Sequence, residues 1–199
     1  ERASGLTPQN KTIEDKAFEK ILKNEPGLLR AYKTKYGNEV NADNFRPFFK
    51  DVGYNGSNAA SVQEPSSYLA KKAYSDALKN KGNYATFSAG GSGAGKSSGI
   101  KAISELTDLK NQSAVLLDSN LSSYSSAIKK IKQAEDAGKE FKGIYTYRDP
   151  IDSFVNGVVK RMNDNPEEMG RIVPTKIMAG NHIDSLDVVQ KLIKDGYSF

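Results

Sequence analysis

The chain reads as an α/β protein, a parallel sheet flanked by helices with a helical lead-in before it. Three observations predict this. From Tyr84 onward, short apolar runs alternate with stretches whose apolar residues recur at helical spacing, the β-α-β-α order of a doubly wound sheet. The run Ala114–Leu117 is apolar without interruption, as a strand covered on both faces should be. A glycine-rich turn, Gly90–Gly95, stands between a strand pattern and a helix pattern.

The lead-in is expected to be helical. Residues 1–11 are polar, carry Gly5 and Pro8, and read as a linker. Thr12 is expected to cap the first helix, with Asp15 in the capping-box position and Ile13, Ala17, Ile21 and Leu22 as its apolar stripe. Pro26-Gly27 should break it, and a second helix should run over Leu28–Tyr36 to Gly37. Asn41–Lys50 predicts a short helix whose Phe45, Phe48 and Phe49 pack inward. Residues 53–63 read as a loop; Pro65 then opens a helix with Leu69, Ala73, Ala77 and Leu78 on its buried stripe, ended by Gly82-Asn83.

In the core, Tyr84–Phe87 is a strand, followed by a helix over about Ser98–Leu106 and the strand Ala114–Leu117. A helix over Ser122–Glu135 carries Tyr124, Ile128 and Ile131 on one face, with Leu121 just ahead of it, and Gly138 stops it before the strand Lys142–Tyr147. Pro150 opens a helix with Ile151, Phe154, Val155, Val158, Val159 and Met162 inward. After the polar break Asn163–Gly170 come a short helix from about Thr175, another over Ser185–Lys194, and a last strand starting at Tyr197. The expected division is a linker 1–11, a lead-in 12–82 packed on the core, and a core 83–199. The opening residue is not methionine and the chain stops as a strand begins, so the core is expected to be truncated at its C-terminus, part of a larger protein.

Composition narrows the chemistry. With 199 residues, 37% hydrophobic and 27% charged, the chain suits one globular domain. No apolar run reaches membrane-spanning length and no signal-peptide pattern opens the chain, so no membrane partner and a cytoplasmic site of action are expected. The absence of cysteine excludes disulfides and thiolate metal sites, and the single His182, read as a helix-end surface residue, excludes a histidine-rich metal site. A net charge of +5 would suit nucleic acid, but the lysines are spread through helix patterns and no run of four basic residues occurs. Nucleic acid is therefore disfavoured, and the charge is better explained by solvated helix faces and a pocket for polyanionic nucleotides.

The chemistry centres on Gly90-Gly91-Ser92-Gly93-Ala94-Gly95-Lys96-Ser97-Ser98. The spacing G-x-x-x-x-G-K-S is that of the phosphate loop of P-loop NTPases and kinases. Glycines let backbone N–H groups converge on a phosphate, and the following helix points its positive end the same way. Lys96 would neutralise the β- and γ-phosphates of ATP, and the Ser97 hydroxyl would hold Mg²⁺. Asp118, at the carboxyl end of its strand, could hold Mg²⁺ through water, take a proton from an attacking hydroxyl, or merely cap a turn. Asn120 could orient a hydroxyl or simply form the turn. Arg161 and Arg171 could form a lid that stabilises charge on a transferred phosphoryl, or stand as surface arginines; Arg148 is a weaker third candidate. The chain lacks an N-K-x-D guanine motif, a Walker B Asp-Glu pair and the protein-kinase signatures, which leaves a small-molecule kinase with ATP and Mg²⁺ as the best-supported class.

The phosphate loop, Asp118 after its strand, Phe141–Pro150, Arg161 and Gly170-Arg-Ile-Val-Pro174 together resemble the zeta-toxin family of P-loop kinases, as do Asn41-Ala-Asp43 and Gln63–Ser67. The resemblance covers roughly residues 40–199. It implies a P-loop kinase-type fold, and transfer of the ATP γ-phosphoryl to a hydroxyl of a nucleotide-type substrate, UDP-N-acetylglucosamine in the best-known members and other nucleotides in relatives. It also implies an antitoxin protein as partner, and it matches Arg161 and Arg171 to the two lid arginines. The sequence departs from the family at Asp118-Ser-Asn120, where asparagine stands in place of the usual base. An alternative alignment puts Asp118 at the family's acidic substrate-binding position on the next strand, with the base-bearing strand and helix missing. The rival from another class is a non-catalytic ATP-binding switch module of a larger protein.

Overall fold

The computed structural model describes residues 3–164 and 173–199. Helix α1, Pro8–Tyr36, starts earlier than a Thr12 cap would allow. The Thr7 hydroxyl accepts from the Asn10 N–H at 3.3 Å, and Pro8 supplies a first helical residue that needs no N–H partner. The Thr12 hydroxyl instead donates to the Pro8 carbonyl at 3.1 Å, one turn back, so residues 8–11 are helix and not linker. The break expected at Pro26-Gly27 falls at Asn24, which has φ −155° and ψ 44°. Its side-chain oxygen accepts from the Gly27 N–H at 3.2 Å, so Asn24 caps the second half and Pro26 lies in that half's first turn.

A 3₁₀ helix, Ala42–Val52, follows, and the Phe45 ring stacks on Tyr32 at a centroid distance of 3.8 Å. A short 3₁₀ turn, Ala59–Val62, leads into α2, Gln63–Ala77, so Pro65 sits in its first turn and does not open it.

The sheet has four strands, all parallel: β1 Glu39–Val40, β2 Tyr84–Ala89, β3 Ser113–Asp118 and β4 Glu140–Tyr145, in the order β1-β3-β2-β4. The two-residue β1 had no signal of its own in the sequence. The helix expected after the glycine-rich turn is two, α3 Lys96–Ala102 and α4 Ser104–Gln112, parted by an extended Ile103 with φ −110° and ψ 119°. The helix α5 spans Tyr124–Asp136. After β4, α6 (Pro150–Asp152), a π-helical stretch (Ser153–Val159) and α7 (Lys160–Asp164) follow one another without an extended break. The two helices expected after Thr175 are one, α8, Thr175–Lys194.

Both faces of the sheet are covered, which is why the central strand β3, buried along its whole length, is apolar without alternation from Ala114 to Leu117. Phe87, Val115 and Leu117 pack with Tyr74 and Leu78, with Ala127 and Ile131 of α5, and with Val188 and Leu192 of α8. On the other face Leu116 and Ile144 pack with Ile100, Leu106 and Leu109. A second cluster joins Ile13, Ala17 and Tyr32 of α1 to Phe45, Phe49 and Leu69, and Ala70 and Ala73 of α2 pack against both clusters. The strand expected from Tyr197 does not form over residues 197–199; the segment lies against β4, where the Gly143 N–H donates to the Ser198 carbonyl at 2.8 Å and Phe199 covers Gly143. Among the described residues, no helix is long and apolar enough to cross a membrane.

Candidate functional site

A cleft of about 1010 Å³ opens at the carboxyl ends of β2 and β3. It runs from the glycine-rich loop, past Asp118 and Asn120, to α2 and α5. In open parallel sheets this end is where crossover connections part and a ligand can enter. Here β2 leads by α3 and α4 to β3 on one side, while β4 lies on its other side.

The loop after β2 is held from outside by close backbone packing. Gly90 has φ 142°, and a Cβ there would fall 2.4 Å from the Thr146 carbonyl oxygen beyond β4. A Cβ on Gly93 (φ 79°) would meet the Ser153 carbonyl oxygen at 2.3 Å, and one on Gly157 the Gly93 carbonyl oxygen at 2.5 Å. Gly91 lies under the ring of His182, whose Nε2 is 3.1 Å from the Ser92 carbonyl oxygen. His182 therefore sits inside α8 against the loop, not at a helix end. Gly95, with φ 87°, differs: a Cβ there would meet nothing within 4 Å, on the side that lines the cleft. The backbone is exposed to a ligand where no side chain intervenes. Since α3 has only seven residues, close N–H groups matter more here than a helix dipole.

Lys96 and Asn120 meet across the loop. The Lys96 ammonium donates to the Gly90 carbonyl at 3.2 Å and to the Asn120 side-chain oxygen at 3.3 Å. Ser97 and Ser98 are exposed and line the cleft.

Asp118 is 9% exposed and held at both carboxylate oxygens. Ser88, its register partner on β2, donates to Oδ1 at 3.1 Å, and the Asn41 amide donates to Oδ2 at 2.9 Å. Asn41 is fixed in turn: its side-chain oxygen accepts from the Asp43 N–H at 2.8 Å, and its own N–H donates to the Tyr32 hydroxyl at 2.9 Å. Beyond Asp118 the chain turns sharply through Leu121, a non-glycine residue at φ 51°. Left-handed backbone of this kind is costly and clusters near functional sites.

The far wall comes from α2 and α5. Ser67, Lys71 and Tyr74 of α2 and Ser126 and Lys130 of α5 line it. The Tyr74 hydroxyl donates to the Lys130 carbonyl at 2.8 Å, and burial pushes its pKa up. Lys130 donates to the Ser126 hydroxyl at 3.0 Å. Burial, and then the charge of Lys71, hold the Lys130 ammonium below the ordinary lysine range.

Of the residues singled out from sequence, Gly90–Ser98 and Asp118 come together in one cleft with Asn120 and Arg148. Arg148 pairs with Asp152, whose carboxyl lies below the usual range because of Arg148 and Asn156. Arg171 lies outside the described residues, and of Arg161 only the backbone, within α7, is described. Sequence reasoning missed Ser88, Asn41, Lys71 and Lys130 as site residues. Asn41 stood in the Asn41-Ala-Asp43 segment of the family resemblance, but nothing local tied its side chain to Asp118. Among the described residues, no group of three or more His, Asp or Glu stands ready to hold a metal. Compared with known proteins, the chain matches no family model and no curated protein.

Proposed function

We propose that this chain is a P-loop small-molecule kinase similar to the zeta-toxin kinases, transferring the γ-phosphoryl of ATP to a hydroxyl of a nucleotide-sugar or other nucleotide-type substrate. One observation carries the reading. Lys96, from a G-x-x-x-x-G-K-S loop between a parallel strand and a helix, lines the same cleft as the carboxylate of Asp118. The donor set suits a polyphosphate with Mg²⁺: open backbone at Gly95, an ammonium at Lys96, and hard oxygen ligands at Ser97 and Asp118. Mg²⁺ takes most of its remaining ligands from water and phosphate, so a dense protein cage is not required.

In the proposed step, Asp118 accepts the proton of the acceptor hydroxyl as that oxygen bonds the γ-phosphorus. The bridging P–O bond to the β-phosphate breaks, and its electron pair leaves with ADP. Lys96 offsets the charge that spreads over the phosphoryl oxygens; Arg161 and Arg171 are assigned to the same task on the sequence resemblance. An inhibitory antitoxin protein is the partner this reading implies.

The test is to incubate the protein with ATP, Mg²⁺ and a panel of nucleotide sugars and dinucleotides, and to follow ADP and phosphorylated product. Product lost in Lys96→Ala and Asp118→Ala is the expected result. Tight ATP binding with no turnover across the panel selects the second reading, a non-catalytic ATP-binding switch. That reading draws on Asn120, a neutral amide that takes Lys96 where an acid would be expected.

A further inference from the structure

We infer that His182 is a positioning residue for the glycine-rich loop: by donating from Nε2 to the Ser92 carbonyl, it turns the Gly93 N–H toward the cleft, where that N–H meets a phosphate oxygen of the nucleotide. The inference rests on the kinase reading for the nucleotide, and deepens it by giving α8 a part in the donor site.

The tautomer follows from the partner. A carbonyl oxygen only accepts, so the hydrogen of the 3.1 Å contact is on Nε2. Asn181, the preceding residue of α8, donates from its amide to the Ser92 hydroxyl at 3.3 Å. Ser92 is thus held at both its side chain and its carbonyl. These contacts come from outside the cleft: Ser92 and Gly93 line it, whereas Asn181 and His182 do not. The planar peptide carries the consequence. No peptide bond among the described residues is cis, so the Ser92 carbonyl and the Gly93 N–H, which share one peptide plane, point in opposite directions. A carbonyl drawn outward to His182 therefore sends the N–H inward. Among the described residues nothing accepts from that N–H, while the adjacent Ala94 N–H is already used, donating to the Gly91 carbonyl at 3.2 Å. A backbone N–H left open on the cleft side is a donor for a bound anion.

Gly91 shows that the place of the ring is built into the loop. Its φ is not positive, so its backbone does not call for glycine. What excludes a side chain there is His182, since a Cβ on Gly91 would fall 2.2 Å from the ring's Cδ2. The other end of the peptide is fixed as well, by the Ser153 carbonyl oxygen that a Cβ on Gly93 would meet at 2.3 Å.

His182 is the single histidine of the chain, so its imidazole gives one unambiguous set of signals in nitrogen NMR. In mildly alkaline buffer, where imidazole is neutral, the proton is expected on Nε2, and the Gly93 amide proton should move downfield when ADP and Mg²⁺ bind. Two variants separate the donor from the packing. His182→Phe keeps a ring over Gly91 without a donor; His182→Gln keeps an N–H donor at the place of Nε2 without the ring. By calorimetry, ADP affinity should fall about tenfold in His182→Phe and stay within about threefold of the wild type in His182→Gln. Equal ADP affinities in the two variants overturn the positioning role and leave His182 a packing residue. So does a proton on Nδ1, or a Gly93 amide that ADP does not shift. Melting temperatures report whether each variant folds, and if His182→Phe does not, the wild-type spectra decide alone. Turnover is read separately: ADP binding with the expected dependence on His182, but no phosphorylated product across the nucleotide panel, overturns the kinase reading and supports the positioning role.

Discussion

Gly95 and Gly157 both exclude a side chain, for opposite reasons. At Gly95 (φ 87°) the space is open, so Gly95→Ala meets only backbone strain, about 1–2 kcal/mol, and the protein still folds. Its methyl group would stand in the cleft, and ADP affinity should fall at least tenfold by titration. At Gly157 the new Cβ would lie 2.5 Å from the Gly93 carbonyl oxygen, so backbone must move, and Gly157→Ala should lower both the melting temperature and ADP affinity. A Gly157→Ala melting temperature equal to that of the wild type would show that this packing does not constrain the loop. Asn41→Ala removes one of the two donors that hold the Asp118 carboxylate. A hydrogen bond to a charged group contributes about 1.5–3 kcal/mol, so urea unfolding should show a loss of that order, with slower turnover at unchanged ADP affinity. Lys130 runs the other way. Its folded pKa lies below the unfolded one, so the unfolded chain holds the proton more tightly and the penalty is fully present below the folded pKa. Lys130→Met should therefore be neutral or stabilising at pH 7. The advantage should shrink as pH rises toward the ordinary lysine pKa of about 10.4, which thermal melts across pH would show. At this scale the loop was legible because its function needs fixed local spacing. Asn41 was not, because its partner is 77 residues away.

Helix boundaries belong to the next scale. The sequence predicts the α1 cap at Thr12, whereas the structure places it at Thr7, and the difference turns on Pro8, which favours a first helical position. Thr7→Ala should cost about 1 kcal/mol by chemical denaturation, and Thr12→Ala clearly less, because the Thr12 hydroxyl only bonds a carbonyl the helix already uses. The reverse order would restore the later start. The π-helical stretch Ser153–Val159 is a second element the sequence did not announce. Its apolar residues fit an ordinary helix, and the wider turn brings the Ser153 carbonyl and Gly157 against Gly93. The merger of two expected helices into α8 likewise follows from packing: Val188, Val189 and Leu192 join the sheet's core while Asn181 and His182 reach Ser92.

Over the whole molecule, the lead-in and the sheet are joined by α2, whose Ala70 and Ala73 pack against both clusters. Phe45 is fully buried in the lead-in cluster and stacked on Tyr32. Phe45→Ala should cost about 3–5 kcal/mol and lower a single unfolding transition, read by both circular dichroism and tyrosine fluorescence. Two separate transitions would show that the lead-in folds alone. The sequence by itself determined the α/β class, the parallel sheet's buried strands and the glycine-rich loop, since each depends on periodicity or spacing within about twenty residues. Only the tertiary structure decided the rest of the cleft. Placing β3 between β2 and the two-residue β1 carries Asn41 to Asp118, and packing α2 beside α5 sets Lys71 near Lys130. Contacts between segments so far apart in the chain leave no periodic trace in it; they exist because burying both faces of one sheet brings those segments to the same edge.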